Sequence, residues 1–270
     1  MTPKDFGLAE VVRQLARRGG GGFEWYKDSC LRRRIEVRMR ARGVTSLSGY
    51  AALIAEDAEE LDRLLHTLSV RVTSFFRNPD TWERLRDLLE KEPPGPRHPV
   101  TAWSMGCATG EEAWSLAMLL QDAARRGEQP GTGPFQVVAS DVDAQALAVA
   151  EAGRYPGYAI EAIRKVLDHP YGTIRDGSFE VDSAVRARVT FRREDLTAAA
   201  PAPARFDLVC CRNVLIFLGR DGQRRMLEAA FDGLRSGGLL VLGRTESPFA
   251  IPEAPLAPVD LTHRIYRRAA

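Results

Sequence analysis

The chain has 270 residues, 44% of them hydrophobic and 27% charged, with a formal net charge of +2. That is the balance of a globular protein with room for one large α/β domain and a small satellite domain. No apolar run reaches the roughly 18 residues of a membrane span, and Met1–Asp5 lacks the apolar core of a secretion signal, so neither membrane insertion nor export is expected.

Residues 1–77 read as a helical domain. Leu31, Ile35 and Met39 recur every four residues and form an apolar stripe. Six arginines (Arg32, Arg33, Arg34, Arg38, Arg40 and Arg42) stand against the single Glu36 over 31–42, a basic strip that suits an acidic partner. Arg33 and Arg40 project opposite the stripe, and Arg34 from its flank. A second helix is expected from about Ala51 through Leu68. Residues 78–99 read as a connector: a helix opening at Pro79 behind Asn78 as cap, then a linker at 93–99 with four prolines in seven residues.

From residue 100 to 270 strands and helices alternate. Strands are expected at Val100–Met105, Phe135–Ser140, Phe206–Cys211 and Gly238–Gly243. Helices are expected at Glu111–Arg126, from about Ala144, and at Asp221–Arg235, the last stopped by Gly237. This pattern predicts an α/β fold with a doubly wound, mainly parallel sheet. A small antiparallel β insertion is placed at about 171–192, with Phe179–Val181 pairing Arg188–Phe191. Cys30, Cys107, Cys210 and Cys211 show no C-x-x-C spacing, which argues against a metal site and for a reducing, cytoplasmic compartment.

The strongest chemical signal is Trp103-Ser104-Met105-Gly106-Cys107-Ala108-Thr109-Gly110-Glu111-Glu112, at a strand–turn–helix junction. Gly106 and Gly110 permit a sharp turn and close approach to a ligand. The spacing is G-x-x-x-G, and an acid follows at once, so a diphosphate would meet negative charge; a phosphate-free ligand carrying a cation fits better. S-adenosylmethionine is such a ligand. At the end of the second strand, Asp141 is assigned to the ribose hydroxyls and Asp143 to the helix cap. Arg212-Asn213, directly after the apolar FDLVCC run, marks the mouth of the sheet.

Taken in order behind a helical domain, Thr73-Ser74-Phe75-Phe76-Arg77, Trp103 through Glu112, Ser140-Asp141-Val142-Asp143, Cys210 through Ile216, and Gly237-Gly238 leading to Gly243 and Glu246 resemble the CheR-type chemoreceptor glutamate methyltransferases over nearly the whole chain. The resemblance implies a class I S-adenosylmethionine methyltransferase fold, with S-adenosylhomocysteine as product. It implies Thr73, Arg77, Glu111, Asp141, Arg212 and Asn213 as cofactor contacts, with Asp195 and Leu196 near the adenine. Phe75 and Phe76 fit either ordinary core or, from their place between the two domains, a wall over the methionine end. Two positions depart from the family's usual residues: Arg71 stands where an asparagine is common, and Phe217 where a tyrosine is common.

The implied reaction converts glutamate side chains to methyl esters in chemotaxis adaptation. A glutamate carboxylate, with a pKa of about 4.3, is already ionised at pH 7 and needs no general base. Arg77 is the catalytic candidate, orienting that carboxylate; its competing role is an ion pair with Asp80 or another acid. Arg33, Arg34 and Arg40 would dock the glutamate-rich cytoplasmic helices of chemoreceptors. The protein would act as a monomer, without nucleic acid, since the basic helix lacks aromatic residues for base stacking. The competing readings are a methyltransferase for another substrate and a cofactor-binding sensor or scaffold with little turnover.

Overall fold

In the computed structural model, which describes residues 3–18, 22–68, 73–91, 99–126, 135–198 and 206–269, the N-terminal region forms four helices. These are α1 (Pro3–Arg17), α2 (Asp28–Ala41), α3 (Leu47–Glu56) and α4 (Ala58–Leu68). Their apolar stripes meet in one core around Val11, Leu15, Ile35, Tyr50, Ile54 and Leu64. The single helix expected over 51–68 is two. The break falls at Asp57, whose backbone is extended and whose Oδ1 accepts from the Glu60 amide at 2.9 Å, a bond that starts α4 afresh. Glu60 itself is fully buried. It accepts from Arg38 through Nε and Nη2, from Arg42 at 3.1 Å and from the Tyr50 hydroxyl at 2.7 Å. A buried carboxylate is tolerable only when so paired, and two arginines of α2 are thereby bound within the helical bundle.

The chain continues through α5 (Pro79–Lys91), β1 (Val100–Met105), α6 (Glu111–Arg126), β2 (Phe135–Asp141), α7 (Ala144–Ala152), β3 (Arg154–Pro156), α8 (Ala159–Arg164), β4 (Gly172–Arg175), β5 (Ser178–Val181), α9 (Ser183–Arg186), β6 (Val189–Arg193), β7 (Phe206–Cys211), α10 (Arg220–Gly233), β8 (Leu234–Leu242), β9 (Leu256–Asp260) and β10 (Ile265–Arg268). Most of the proline-rich linker lies outside the described residues. The main sheet has the order β6-β2-β1-β7-β8-β10-β9. Its first five strands are parallel, and β10 runs antiparallel to both neighbours. Winding outward from β1 to β6 and then returning to β7 beside β1 opens a crevice at the carboxyl ends of β1 and β7, the switch point where such sheets hold ligands.

Strand alternation divides the core. Ala102, Leu208, Cys210 and Val241 face α5 and α6 with Trp82, Leu85 and Trp114, while Trp103, Val209, Cys211 and Leu240 face α10 with Met226, Leu227 and Ala230. The adjacent thiols of Cys210 and Cys211 therefore lie on opposite faces of the sheet. Helix α10 stops at Gly233, ahead of the expected Gly237, because strand pairing with β7 already begins at Leu234.

The antiparallel insertion is built differently from the expectation. Phe179–Val181 pairs with β4 on one side and β3 on the other, making a three-stranded sheet. Val189–Arg193 instead joins the main sheet, parallel to β2. There Val189 and Phe191 pack against Ala139 and Leu147, and the Phe191 ring meets Trp114 at 5.2 Å. Burial against the main core outweighs local hairpin pairing, and the intervening residues supply the crossover a parallel strand needs.

The helical domain is fastened to the sheet domain by the segment between α1 and α2. Lys27 N donates to Phe217 O at 2.9 Å, Gly219 N to Trp25 O at 2.7 Å, and Lys27 Nζ to Ile216 O at 2.8 Å. The Arg225 guanidinium stacks on Trp25 at 4.3 Å.

Candidate active site

The β1–α6 turn is held in a left-handed backbone that puts its amides at the sheet's carboxyl edge. Gly106 has φ 69° and Gly110 φ 94°. A Cβ on Gly106 would sit 2.7 Å from Val214 Cγ2, and one on Gly110 2.6 Å from Ala150 Cβ. Asp141, at the end of β2, accepts from the Ala108 amide at 2.8 Å and the Asp143 amide at 2.9 Å, so one carboxylate ties the turn to the strand. Burial raises the Asp141 pKa, against the pull of these bonds. Asp143 caps α7, accepting from Gln145 N and Ala146 N.

A cavity of about 320 Å3 opens along this edge. Thr73, Arg77, Asp141, Arg212 and Asn213 all line it. Asp195 and Leu196 line an adjoining recess of about 80 Å3, which shares Tyr26, Gly106, Asp141 and Val214 with the larger cavity. Residues separated by more than a hundred positions thus converge on one cleft. Glu111 is the exception among the expected contacts. Its Oε2 accepts from Thr109 Oγ1 at 2.7 Å, and Glu112 takes the place on the wall. Glu112 is pinned by Ser104 Oγ at 2.9 Å and Arg212 Nη1 at 3.4 Å. Its pKa is nevertheless raised, because burial outweighs the nearby guanidinium.

Arg212 acts as a pin as well as a wall. It is 5% exposed, donates through Nη2 to Arg77 O at 2.7 Å and Asn78 Oδ1 at 3.4 Å, and lies over the Trp82 ring at 5.2 Å. The loop bearing Arg77 is thereby fixed to the end of β7. Asp80, the alternative partner for Arg77, is occupied by Arg244 and faces His263 Nε2 at 3.7 Å. Phe75 and Phe76 are core residues rather than a cavity wall: Phe75 packs edge-on against Tyr155 and Phe179, and Phe76 against Trp82. Phe217 does line the cavity, beneath the Arg34 guanidinium at 5.4 Å. Arg71 lies outside the described residues.

Of the three docking arginines, Arg33 and Arg40 are exposed on α2. Arg34 is not presented to a partner, because its Nη1 donates to Thr67 O and Leu68 O at the end of α4. Unsatisfied carbonyls at a helix end draw a flanking cation inward.

Sequence reasoning missed three residues. Glu112 stands in the strand–turn–helix motif beside Glu111, and the resemblance implies a cofactor contact for Glu111 alone. Glu246 has no role that the sequence motif assigns; buried, it accepts from Gly243 N at 2.7 Å, Asn213 N at 2.8 Å and Ile216 N at 3.3 Å, fixing the loop that carries the Asn213 wall. Tyr26 lies in a stretch read only for helical period, and no local pattern marks it as a cleft residue.

Around the cleft Glu112, Asp141, Asp143 and Asp195 outnumber Arg77 and Arg212, and Arg212 is tied to Glu112 and the Arg77 carbonyl, so the lining suits a hydroxyl-bearing nucleoside with a positive group better than a diphosphate. Residues 7–69 match the family described as CheR methyltransferase, all-alpha domain, and residues 71–256 that described as CheR methyltransferase, SAM binding domain. The chemotaxis protein methyltransferase of Klebsiella aerogenes is 31% identical over 250 residues, which cover 90% of this chain and 83% of that protein. The corresponding protein of Listeria monocytogenes is 28% identical over 236 residues, 87% of each chain. An uncharacterized 104.1 kDa protein of Rhodobacter capsulatus is 32% identical over 265 residues, which span 96% of this chain but 27% of that protein. The matched domains, their order and the acid-lined cleft lead to one conclusion: this chain belongs to the CheR methyltransferase family, with S-adenosylmethionine as its cofactor.

Proposed function

We propose that this methyltransferase esterifies glutamate side chains on the cytoplasmic helices of chemoreceptors, acting as a cytoplasmic monomer in chemotaxis. The observation that carries the proposal is the placement of Arg77 on the wall of the cofactor cleft, together with α2 at its rim through Arg34 over Phe217. No helix among the described residues is long and apolar enough to cross a membrane. In this reading Thr73, Asp141, Asp195, Leu196, Arg212 and Asn213 contact the cofactor, with Glu112 in the place first given to Glu111.

Bound S-adenosylmethionine supplies an electrophilic methyl group on a sulfonium centre. Arg77 orients the acceptor carboxylate through its planar fork without neutralising it fully. Arg212 holds the Arg77 loop against β7, so the fork's reach is set before the acceptor arrives. Alignment of this kind contributes roughly 7–11 kcal/mol in well-oriented reactions. The protein supplies no proton acceptor, because the attacking carboxylate is already ionised. Arg33 and Arg40 meet the acidic acceptor helix and contribute mainly to encounter and register.

Labelled cofactor incubated with receptor fragments tests the reading. A carboxyl methyl ester releases its label as methanol in mild base, whereas N-methyl groups stay. Arg77→Ala should lose far more turnover than cofactor affinity, and Arg77→Lys should recover little. Base-stable label, or normal turnover in Arg77→Ala, would overturn the proposal.

A further inference from the structure

The cofactor cleft is assembled largely from the sheet domain, yet one of its walls comes from the helical domain. Tyr26 lies between the short 3-10 turn Phe23–Trp25 and α2, and lines both the main cavity and the recess that holds Asp195 and Leu196. It is the residue immediately before the N-cap of α2, Lys27.

Tyr26 is held in place by its backbone. It forms an isolated antiparallel bridge with Leu218, flanked by Gly219 N to Trp25 O at 2.7 Å and Lys27 N to Phe217 O at 2.9 Å. The turn leading into it is packed just as closely. Gly22 has φ 82°, and a Cβ there would lie 2.9 Å from Thr197 Oγ1 and 3.1 Å from Asp195 Oδ1. The segment is therefore fitted against the Asp195–Thr197 loop and does not swing freely over it. The Tyr26 ring packs on Phe23 at 5.2 Å, and among the described residues its hydroxyl has no hydrogen-bond partner. A half-buried phenol set in a cleft without a partner is a group waiting for a ligand atom. Burial, with the nearby charge of Asp141 and a smaller contribution from Asp195, pushes its pKa up to about 12 even beside Arg34, so it remains a hydrogen-bond donor throughout the neutral range.

Resting on the cofactor reading above, we infer that Tyr26 is a cofactor-binding residue supplied by the helical domain, its ring walling the nucleoside half of the cleft and its hydroxyl hydrogen-bonding the ribose beside Asp141.

Calorimetry with S-adenosylhomocysteine and with adenosine tests this on the full chain. Tyr26→Phe keeps the ring and should weaken both ligands about fivefold, by the same factor, with an unchanged melting temperature of the ligand-free protein. The ratio of wild-type to Tyr26→Phe affinity should stay flat from pH 6 to 9. Tyr26→Ala, if folded, should lose considerably more; if it does not fold, Tyr26→Phe decides. Asp141→Ala serves as the reference. Should Asp141→Ala weaken binding while Tyr26→Phe stays within twofold of wild type, the inference fails and the cofactor reading stands. Loss for S-adenosylhomocysteine but not for adenosine would also overturn it, because the contact would then lie outside the nucleoside. A wild-type protein that binds neither ligand would overturn both readings.

Discussion

Glu246→Gln should damage the site without touching the cofactor. In the native protein Glu246 Oε2 takes the Gly243 and Asn213 amides at 2.7 and 2.8 Å, and Oε1 takes the Ile216 amide at 3.3 Å. Glutamine keeps one oxygen, so its amide nitrogen must face at least one of these N–H groups. A lost hydrogen bond to a charged group costs about 1.5–3 kcal/mol. At about 2 °C per kcal/mol for a chain of this size, the melting temperature should fall by roughly 3–6 °C. The larger consequence is local. Asn213 has φ 62° and lines the cleft, and Gly243 leaves no room for relaxation, since a Cβ there would lie 2.8 Å from Asn213 N. We expect S-adenosylhomocysteine affinity to fall about tenfold, the equivalent of one displaced hydrogen bond of about 1.4 kcal/mol. Thermal unfolding and calorimetry on the same preparation separate the two effects. A variant with wild-type affinity and an unchanged melting temperature would refute the role of this carboxylate in holding the loop. Glu246→Ala strands all three buried amides and is expected to be the less informative probe, because loss of fold would mask loss of site.

Asp141→Ala should weaken S-adenosylhomocysteine binding by roughly 1.5–3 kcal/mol in calorimetry; unchanged affinity in a folded protein would remove Asp141 from the ribose. Arg33→Glu with Arg40→Glu should leave cofactor affinity intact and reduce receptor methylation, with wild-type activity itself falling at higher salt. Arg34→Glu should instead lower the melting temperature, because Arg34 binds the carbonyl end of α4; methylation by the Arg33/Arg40 variant at the normal rate would reduce that face to solvated surface. Glu111→Gln tests pH dependence. Burial raises the Glu111 pKa in the folded protein, so the folded state binds the proton more tightly than the unfolded one and ionisation weakens the fold. The penalty is absent below the unfolded value of about 4.3, grows as pH rises through the folded pKa and is complete above it. The glutamine variant should therefore melt higher than wild type near neutrality, by a margin that shrinks toward pH 4; a margin constant with pH would contradict this.

Much was legible in the chain because it rests on local rules. Gly106 and Gly110 announce a tight turn, apolar FDLVCC announces a buried strand, and Asp143 caps α7 because a short acidic side chain reaches the first free amides of a helix. The order of these motifs places Asp141, Arg212 and Asn213 at one sheet edge, since parallel strands all present their carboxyl ends on the same side. The six arginines of the basic strip are equally plain in the sequence. Which of them is available is not: Arg38 and Arg42 bind buried Glu60, Arg34 binds the end of α4, and those partners lie 18 to 34 residues away in the chain. The same holds for Val189–Arg193, whose neighbour is chosen by burial against Trp114 and not by hairpin proximity. Glu112 and Glu111 are indistinguishable in sequence; a 100° step around α6 decides which meets Arg212. Tyr26 reaches the cleft only because the α1–α2 connection is bonded across the domain boundary to residues 217–219. Local propensity and strand direction determined the frame, whereas pairings between distant segments, driven by burial and the need to satisfy buried charge, decided which side chains the frame delivers to the site.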